Sequence, residues 1–543
     1  MVIGNARKID LGTASFEDLI SAGNLYVDKT KLIEHFLEEA SKVQLVARHR
    51  RLGKSLNLDM LRCFLTDSTD NRYLFKGLYI EKSPIWKKVN SAPVFLFDFK
   101  SLISKDYKNQ ILMQVLTHIN DYLGEKNLSE FYKFKLHNYM DKNGENTDGL
   151  LLLTELVHKH MGKRPYILID EYDKLLMDNY KSELYDEIRE YLTQFFSAGL
   201  KGNPYLEKAF ITGVMRISHE SIMSGLNNLV TYDAFNDAIY YADYGITEEE
   251  INELNQLVDF DKNMVKEWYN GIKINEIPIY NLYSTLSYMK IKKFGCYWGK
   301  SGTLDIIKDL MNDEREEILY KLLDGKQTEV SVDERISLKD LVFNSSNKTF
   351  FSLLVQAGYL SLDEKLDYVN GMRVSIPNKE LMLVWKDFIL ETLHIDSSTI
   401  RTLFDNTNDL KQLSQNIENF LSDRLSYYDV EGYKNKNESK LIERIYHVFV
   451  LGILSAYDDA RNKRPQSEKE SGEGRYDIFV EKPGYNFIFE FKACVKPEEL
   501  EAKAMEALNQ IDIKRYSAEL DNSKKLIKIG IAFFGKQCKV KCG

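Results

Sequence analysis

A glycine–lysine–serine triplet between a short apolar run and a longer amphipathic run constrains the fold of this chain more than any other feature. The preceding run, VQLVA at 43–47, favours a buried strand, and the residues after the triplet have helical apolar spacing. A turn between a strand and a helix N-terminus presents several backbone N–H groups that can bind phosphate oxygens. The segment RHRRLGKSLNLDML (48–61) therefore predicts a phosphate-binding loop.

The residue types in this loop suit a nucleoside triphosphate with a metal ion. Lys54 would contact the β and γ phosphates, and the Ser55 hydroxyl would hold Mg²⁺, next to backbone contacts from Gly53. We also expect Arg51 to contact the nucleotide. The consensus G-x-x-x-x-G-K-[ST] needs a glycine where this chain has Arg48, so a chance triplet stays an alternative for this segment alone.

A second acidic element follows a later apolar run. PYILIDEYDKLL places Asp170 and Glu171 directly after the strand-like residues 166–169. Asp170 would bind Mg²⁺ through water, and Glu171 would orient and deprotonate the attacking water. An ordinary solvated loop is the alternative for the acidic pair by itself. Both elements together, in this order, favour ATP binding and hydrolysis.

The third such run ends in AFITGVMRIS. Thr212 lies where a polar sensor for the γ phosphate is expected, and Arg216 follows it; a structural role is an equal alternative for each. The candidate strands of this part of the chain are 43–47, 94–98, 166–169 and 209–212. Because they alternate with longer helical patterns, they predict a parallel sheet covered by helices, and hence an α/β fold.

The chain becomes predominantly helical after Tyr244. In TEEEINELNQL, Thr247 with Glu250 three residues on predicts a capping box. Further on, a predicted helix at 350–360 precedes two alternating runs around the Asn-Gly dipeptide at 370–371, which predict a hairpin. This order indicates a winged-helix-like unit. A packing adapter is favoured over DNA binding, because no lysine and arginine cluster marks the recognition helix.

Near the C-terminal end, ESGEGRYDIFVEKPGYNFIFEFKA contains two strand-like runs joined by a Pro-Gly turn. Asp477 lies on the first run. Glu490 and Lys492 lie two apart on the second, so their side chains share a face. Two carboxylates on paired strands can hold a divalent cation, and a lysine beside them can orient the attacking water. A charged, exposed hairpin is the alternative on spacing alone.

Several segments together resemble one bacterial family. They are YVDKT at 26–30, RHRRLGKSLNLDML, LIDEYDKLL, AFITGVMRISHESIMSGLNN, VKEWYNGIKI and IYNLYS. In this order they resemble the AAA-ATPase-like family usually found with a C-terminal PD-(D/E)xK domain, over nearly the whole chain. That family commonly has Arg-Pro-Arg-Arg-Phe-Gly-Lys, so it shares the missing first glycine. Here His49 replaces the proline and Leu52 the phenylalanine.

The resemblance implies an α/β multidomain protein with three regions. These are an AAA-type P-loop ATPase domain with a parallel sheet at 1–244, a helical lid and winged-helix-like adapter at 245–430, and a restriction-endonuclease-like α/β/α domain at 431–543. For the last region it implies metal ligation by Asp477 and Glu490. The catalytic residues that it implies there are Glu443, Asp477, Glu490, Lys492 and Gln510.

Composition and charge narrow the function classes. A chain of 543 residues exceeds what one core normally serves. No apolar run approaches the ~20 residues that cross a bilayer, and the N-terminal segment and scattered cysteines do not resemble those of a secreted protein. We therefore expect a cytoplasmic location and no membrane partner. The net charge of -9 comes without a basic tail, so charge alone gives no evidence for or against nucleic-acid binding.

Two functional hypotheses follow. In the first, ATP binding and hydrolysis control a metal-dependent nuclease that acts on DNA or RNA, with ATP and Mg²⁺ as cofactors and Mn²⁺ as a further candidate at the nuclease site. In the second, the protein is a nucleotide-dependent switch or scaffold whose nuclease-like domain binds nucleic acid or protein without cutting. The presence of Asp477, Glu490 and Lys492 favours the first. Oligomer formation is compatible with both.

Overall fold

The computed structural model describes residues 2–124, 128–141, 146–216, 226, 228–274, 276–298, 302–323, 325, 327–334, 346–366, 371–392, 407–425, 450, 466–467, 470–471, 474–482, 484–514, 523–535 and 537–543. The chain divides into two compact units. The first is Met1–Leu310 with Glu329–Leu381, and the second is Met311–Thr328 with Met382–Gly543. None of the helices described within these ranges is long and apolar enough to span a membrane.

The described strands, in chain order, are β1 (Val2–Ile3), β2 (Tyr26–Val27), β3 (Val43–Ala47), β4 (Val94–Asp98), β5 (Tyr166–Asp170), β6 (Ala209–Gly213), β7 (Leu229–Tyr232), β8 (Ile272–Ile274), β9 (Ile277–Ile279), β10 (Thr328–Ser331), β11 (Ser361–Lys365), β12 (Gly371–Ser375), β13 (Gln466–Ser467), β14 (Glu470–Ser471), β15 (Gly474–Arg475), β16 (Ile478–Lys482), β17 (Tyr485–Ala493), β18 (Lys525–Phe534) and β19 (Gln537–Cys542).

The described α-helices are α1 (Phe16–Ser21), α2 (Lys31–Glu38), α3 (Lys54–Leu65), α4 (Tyr107–Leu123), α5 (Glu130–Met140), α6 (Gly149–Met161), α7 (Lys174–Asp178), α8 (Tyr185–Leu200), α9 (Glu248–Leu257), α10 (Lys262–Tyr269), α11 (Leu282–Ile291), α12 (Gly302–Asp309), α13 (Asp313–Leu323), α14 (Asn347–Gln356), α15 (Lys379–Thr392), α16 (Leu410–Leu425) and α17 (Leu500–Ile513).

The central sheet of the first unit consists of five parallel strands in the order β4-β5-β6-β3-β7. Strands β3, β5 and β6 are buried along their whole length, which is typical of parallel sheets covered on both faces. The predicted strands are confirmed: β3 and β4 match to the residue, and β5 and β6 each extend one residue further. Strand β7 was not predicted.

The core beside this sheet is built largely from aromatic and branched side chains of α2, α3 and the strands. Phe36 of α2 contacts Phe210 of β6 edge-on at 5.2 Å between ring centroids, and it contacts Tyr166 of β5 at 5.9 Å. Helix α2 is therefore fixed against the middle of the sheet. The carboxyl ends of β3 and β6, and of β4 and β5, lie side by side, which is where parallel α/β sheets bind ligands.

The region after Tyr244 contains the predicted capping box, since Thr247 accepts from the Glu250 N–H and the Glu250 side chain accepts from the Thr247 N–H. A short antiparallel hairpin, β8–β9, connects α10 to α11 and was not predicted. The predicted hairpin after the helix α14 is confirmed as β11–β12, and β10 joins it in the order β10-β12-β11. The lid and winged-helix assignments stay predictions.

The basic residues of this helix–hairpin segment have acidic partners. All four basic side chains described between 346 and 381 lie within 4 Å of a carboxylate: Lys348 with Asp333, Lys365 with Glu334, Arg373 with Glu329 and Glu364, and Lys379 with Glu267. A DNA-binding surface needs cations that are available to phosphates. The pairing therefore supports the packing adapter over the DNA-binding alternative.

The second unit contains a mixed sheet in the order β13-β16-β17-β18-β19. Strands β17 and β18 pair in parallel, and the other neighbours are antiparallel. Helix α17 crosses β18 so closely that a methyl group on Gly530 would meet the Ala504 carbonyl oxygen and the Leu508 nitrogen at 2.4 Å. A glycine is required there because only it leaves room for the helix backbone.

Candidate functional site

A cavity of about 470 Å³ lies at the phosphate-binding loop of the first unit. Residues 50–57 form one wall, and residues from 10–14 and 25–29 form another. Leu282, Tyr283 and Leu286 of α11 complete the lining with apolar and aromatic groups. A cavity of this size, apolar on one side and cationic on the other, suits a small charged ligand with an apolar part.

The predicted loop between β3 and α3 has the backbone of a phosphate-binding turn. Gly53 at the N-terminal end of α3 has φ +93°, and Arg51 has φ +65°. Lys54 is only 6% exposed, and its ammonium donates hydrogen bonds to the carbonyl oxygens of Arg48 and His49, each at 3.0 Å. Burial lowers the pKa of Lys54, and the nearby carboxylates oppose that effect.

Three residues that the sequence assigned to the nucleotide meet at one carboxylate. Ser55 donates from Oγ to Oδ2 of Asp170 at 2.5 Å, and Thr212 donates from Oγ1 to Oδ1 at 2.6 Å. A hydroxyl and a carboxylate in contact are oxygen donors of the kind that Mg²⁺ takes, so these residues fit that ion. Thr212 is fully buried and touches Asp170. Its observed contact orients the carboxylate.

Glu171 lines the cavity and has an uncommon backbone conformation. Its φ is +50°, in the left-handed region that non-glycine residues rarely adopt and that costs about 1–3 kcal/mol. The Tyr172 N–H donates to the Thr212 carbonyl at 3.0 Å, and the Lys174 N–H to that of Glu171 at 3.0 Å. Within the described residues no hydrogen bond or ion pair engages the Glu171 carboxylate, so it can accept one from water.

Asp173 was missed by the sequence reasoning. It is buried, and its Oδ2 accepts from the backbone N–H groups of Val214 at 2.9 Å and Met215 at 2.8 Å. Burial raises the pKa of Asp173 to about 6, although these hydrogen bonds oppose the shift. Asp173 therefore ties the loop after β5 to the segment after β6. The available signal was a third acid in LIDEYDKLL.

Arg216 is turned away from the cavity lining. Its guanidinium pairs with the buried carboxylate of Asp233 at 3.2 Å, and its backbone N–H donates to Oε1 of Gln356 at 3.0 Å. Burial raises the pKa of Asp233, which the Arg216 charge opposes. These contacts are structural ones within the first unit.

Arg48, at the position of the absent glycine, points into the protein. Its side chain is 1% exposed and forms an ion pair with Asp237, which is fully buried. It also donates from Nη1 to the carbonyl oxygens of Ala47 at 2.8 Å and Tyr232 at 3.3 Å. Burial lowers the pKa of Arg48 to about 10. The loop therefore accommodates a large residue here without filling the cavity.

His49, which stands where the related family has proline, is also directed inward. Its Nε2 lies 3.2 Å from the carbonyl oxygen of Val355, and its ring lies against Gly358. Burial and the neighbouring cations lower the pKa of His49 to about 3, so the imidazole is neutral at physiological pH. The loop is thereby packed against the turn that follows α14.

Arg51 connects the loop to α11. Its guanidinium lies 4.0 Å from the centroid of the Tyr283 ring, and its carbonyl accepts from the Tyr283 N–H at 3.3 Å. A cation over an aromatic face is stabilising. The contact of Arg51 with the nucleotide stays a prediction. The contact with Tyr283 was not predicted, because the two residues are far apart in the chain.

In the second unit, the predicted hairpin brings two acids together. Ile478 of β16 pairs with Phe489 of β17, so this register places Asp477 opposite Glu490. The Phe491 N–H donates to Oδ2 of Asp477 at 2.7 Å. Asp477 is thus held against the part of β17 that carries Glu490.

Glu490 also gathers the other predicted residues around it. It is buried, and its Oε1 accepts from Nε2 of Gln510 on α17. The Lys492 ammonium lies 3.6 Å from the same oxygen, so both side chains share a face. Two acids with oxygen donors fit Mg²⁺ or Mn²⁺. In the described part of the chain, no three acidic, histidine or cysteine residues are placed so that they could hold a metal ion together, and Glu443 lies outside that part.

Comparisons with known proteins match two separate parts of the chain to protein families. Residues 10–223 match the family described as Predicted AAA-ATPase, and residues 441–542 match the PD-(D/E)XK nuclease superfamily. An uncharacterized protein in the vnfD 5' region of Azotobacter chroococcum mcd 1 is 26% identical over 525 residues, 94% of this chain and 93% of that protein. A chain in a structure of Drosophila ORC bound to AT-rich DNA and Cdc6 aligns with 69% of this chain and 96% of its own length, at 10% identity and a TM-score of 0.16, too low to support an argument.

Proposed function

Since the chain carries an AAA-ATPase-like domain at 10–223 and a PD-(D/E)XK nuclease superfamily domain at 441–542, we propose that it binds and hydrolyses ATP and that this cycle controls a metal-dependent nuclease acting on DNA or RNA. One observation supports the ATPase part of this proposal. Lys54, Ser55 and Glu171 line the same cavity, and Asp170 contacts Ser55 beside it. We assign the ATPase to 1–244, a lid and adapter to 245–430, and the nuclease to 431–543.

In the nucleotide site, each side chain has a separate task. The Lys54 ammonium binds the β and γ phosphates, and the backbone N–H groups at Gly53 bind the phosphate oxygens. Ser55 and Asp170 hold Mg²⁺, which when bound neutralises charge on the phosphates. Thr212 keeps the Asp170 carboxylate oriented through its 2.6 Å hydrogen bond. Glu171 orients the attacking water and accepts its proton.

In the nuclease-like site, Asp477 and Glu490 would hold Mg²⁺ or Mn²⁺, which when bound polarises the phosphodiester and the attacking water. Gln510 fixes the Glu490 carboxylate by donating to Oε1. Lys492, 3.6 Å from that oxygen, orients the water. The partner is therefore a nucleic acid. All five cysteines are free thiols, which supports a cytoplasmic location.

A second candidate function is a nucleotide-dependent switch or scaffold whose nuclease-like domain binds nucleic acid or protein without cutting. The observation that favours it is that both acids already accept hydrogen bonds, Asp477 from the Phe491 N–H and Glu490 from Gln510. An acid held by the protein in this way can have a structural role. The two candidates differ in one property, the cleavage of a phosphodiester.

ATPase and nuclease activity should be measured on one preparation, with Mg²⁺ and with Mn²⁺, and with single- and double-stranded DNA and RNA. Lys54→Ala should abolish ATP binding in a calorimetric titration, and Lys492→Ala should abolish metal-dependent cleavage but leave ATP binding intact. Lys525→Ala, at the exposed start of β18, is the matched lysine control for the second unit. Cleavage that persists in Lys492→Ala would contradict the nuclease assignment, and ATP hydrolysis without any cleavage would favour the scaffold.

A further inference from the structure

The phosphate-binding loop contains three arginines besides its lysine, and the structure gives them different surroundings. Arg48 is buried in an ion pair with Asp237. Arg51 lies over the ring of Tyr283. Arg50 is half-buried and lines the cavity, and no described residue forms a hydrogen bond or an ion pair with its side chain.

The cavity that Arg50 lines carries more cationic than acidic side chains. Arg50 lies near enough to Lys54 for its charge to contribute to the lowered pKa of that lysine. Lys29, Arg51, Lys100 and Lys174 line the same cavity, and the acidic residues of its lining are Asp10 and Glu171. Like charges held together on a cavity wall repel each other, and a polyanion removes that cost. The ligand to which Arg50 is suited is therefore the phosphate chain.

We propose that Arg50 contacts the terminal phosphate of ATP and stabilises the charge that develops there during hydrolysis. The stabilising cation then comes from the same chain as the loop, and a neighbouring subunit is not needed to supply it. This inference rests on the proposed ATPase function. It assigns a catalytic residue in addition to Glu171.

The step balances without a further reactant. A water oxygen attacks the γ phosphorus, and the bond from that phosphorus to the bridging oxygen breaks with its electron pair remaining on ADP. The water proton passes to the Glu171 carboxylate and then to solvent or phosphate. The Arg50 guanidinium stays protonated throughout, and its two-pronged N–H donors match the equatorial phosphate oxygens.

The test compares Arg50→Ala and Arg50→Lys with the wild-type chain in steady-state ATP hydrolysis with Mg²⁺. Binding of ADP and of ADP with aluminium fluoride is measured in parallel, because the fluoride mimics the phosphoryl group in transfer. Arg50→Ala should reduce kcat by about 10³-fold or more, as expected for loss of such a cation. ADP affinity should change little, and the fluoride complex should be weakened most. Arg50→Lys should recover only part of kcat, because it keeps the charge and loses the planar donors.

The controls separate this inference from the ATPase function on which it rests. Arg72→Ala removes an exposed arginine of the same unit, outside the cavity, and should leave every value unchanged. Wild-type turnover per chain should not depend on protein concentration. If Arg50→Ala has the wild-type kcat and Lys54→Ala is inactive, the role proposed for Arg50 is wrong and the proposed ATPase function stands. An equal loss of ADP affinity and kcat, or turnover that rises with concentration, would also overturn the role of Arg50. Absence of hydrolysis by the wild-type chain under all conditions would remove both proposals.

Discussion

Replacement of Asp237 by asparagine should destabilise the first unit far more than the loss of a single charge at the protein surface would. The side chains of Asp237 and Arg48 are 0% and 1% exposed, so the mutation leaves the Arg48 guanidinium buried without its counter-charge. The Oδ1 hydrogen bonds from the N–H groups of Ile239 at 2.9 Å and Tyr240 at 2.7 Å can be kept by the asparagine oxygen. The change thus removes the charge and retains the turn.

The size of the effect follows from this burial. Breaking a buried ion pair by removing one partner costs about 3–5 kcal/mol. Arg48 keeps its hydrogen bonds to Ala47 and Tyr232, which favours the lower half of that range. For a unit of about 360 residues, the unfolding entropy per residue translates a loss of about 3–4 kcal/mol into a fall of roughly 4–5 °C in Tm. Differential scanning calorimetry measures this directly.

Two further variants make the interpretation specific. Glu130→Gln breaks an exposed pair with Lys133 on α5 and should leave Tm close to that of the wild type. Arg48→Met combined with Asp237→Asn removes both charges and keeps the Oδ1 acceptor of the turn. Because no buried guanidinium is then left without a counter-charge, Tm should recover relative to the single variant. If Asp237→Asn unfolds at the wild-type temperature, or if the Tm of the double variant is no higher than that of the single variant, the buried ion pair does not stabilise the first unit.

Three other outcomes are expected. Glu171→Gln should bind ATP in a filter assay yet lose hydrolysis, because the carboxylate that positions and deprotonates water is gone; wild-type turnover would place the base elsewhere. The folded-state pKa of Asp173, about 6, lies above its unfolded value of about 3.9, so Asp173 favours folding most below about pH 4 and that contribution is lost as pH rises through 6. Asp173→Asn should therefore gain about 2–3 kcal/mol relative to wild type across that interval in denaturant titrations, and a difference independent of pH would refute this. Gly530→Ala should lower the free energy of unfolding of the second unit by about 1–3 kcal/mol through contact with the α17 backbone. Gly12→Ala, in the first unit, adds a methyl group that meets nothing nearer than 3.9 Å and should leave the stability of that unit unchanged.

Much of the fold could be predicted from local sequence patterns. Apolar runs fixed β3 and β4 to the residue, and the Thr247 capping box and the β11–β12 hairpin depend on neighbours a few residues apart. The meeting of Ser55 with Asp170 was predictable as well, because the strands of a parallel sheet have their carboxyl ends at one edge of the sheet. These features need no knowledge of how distant segments pack.

Contacts between segments that are distant in the chain could not be predicted from local sequence patterns. The ion pair of Arg48 with Asp237 and the stacking of Arg51 on Tyr283 join residues that share no local pattern. Strand β7 is short, and its sequence LVTY does not alternate apolar and polar residues. In the second unit, the hairpin was predictable from alternation, but the contact of Gln510 with Glu490 depends on where α17 packs. Glu443 lies outside the described residues, so its predicted role stays a prediction.

The two carbonyl contacts of Lys54 also bear on how nucleotide affinity should be understood. The ammonium already has two acceptors, the oxygens of Arg48 and His49 at 3.0 Å. A phosphate that binds to Lys54 must therefore replace these hydrogen bonds with its own. The net gain is the difference between a charged acceptor and two neutral ones, which is much smaller than the full strength of the new bond. The same carbonyls hold the turn in shape beforehand, so little ordering entropy is lost on binding. The hydrogen bonds of Lys54 to these carbonyls therefore preorganise the loop for binding, and they lower the net free energy gained from the contact of the ammonium with phosphate.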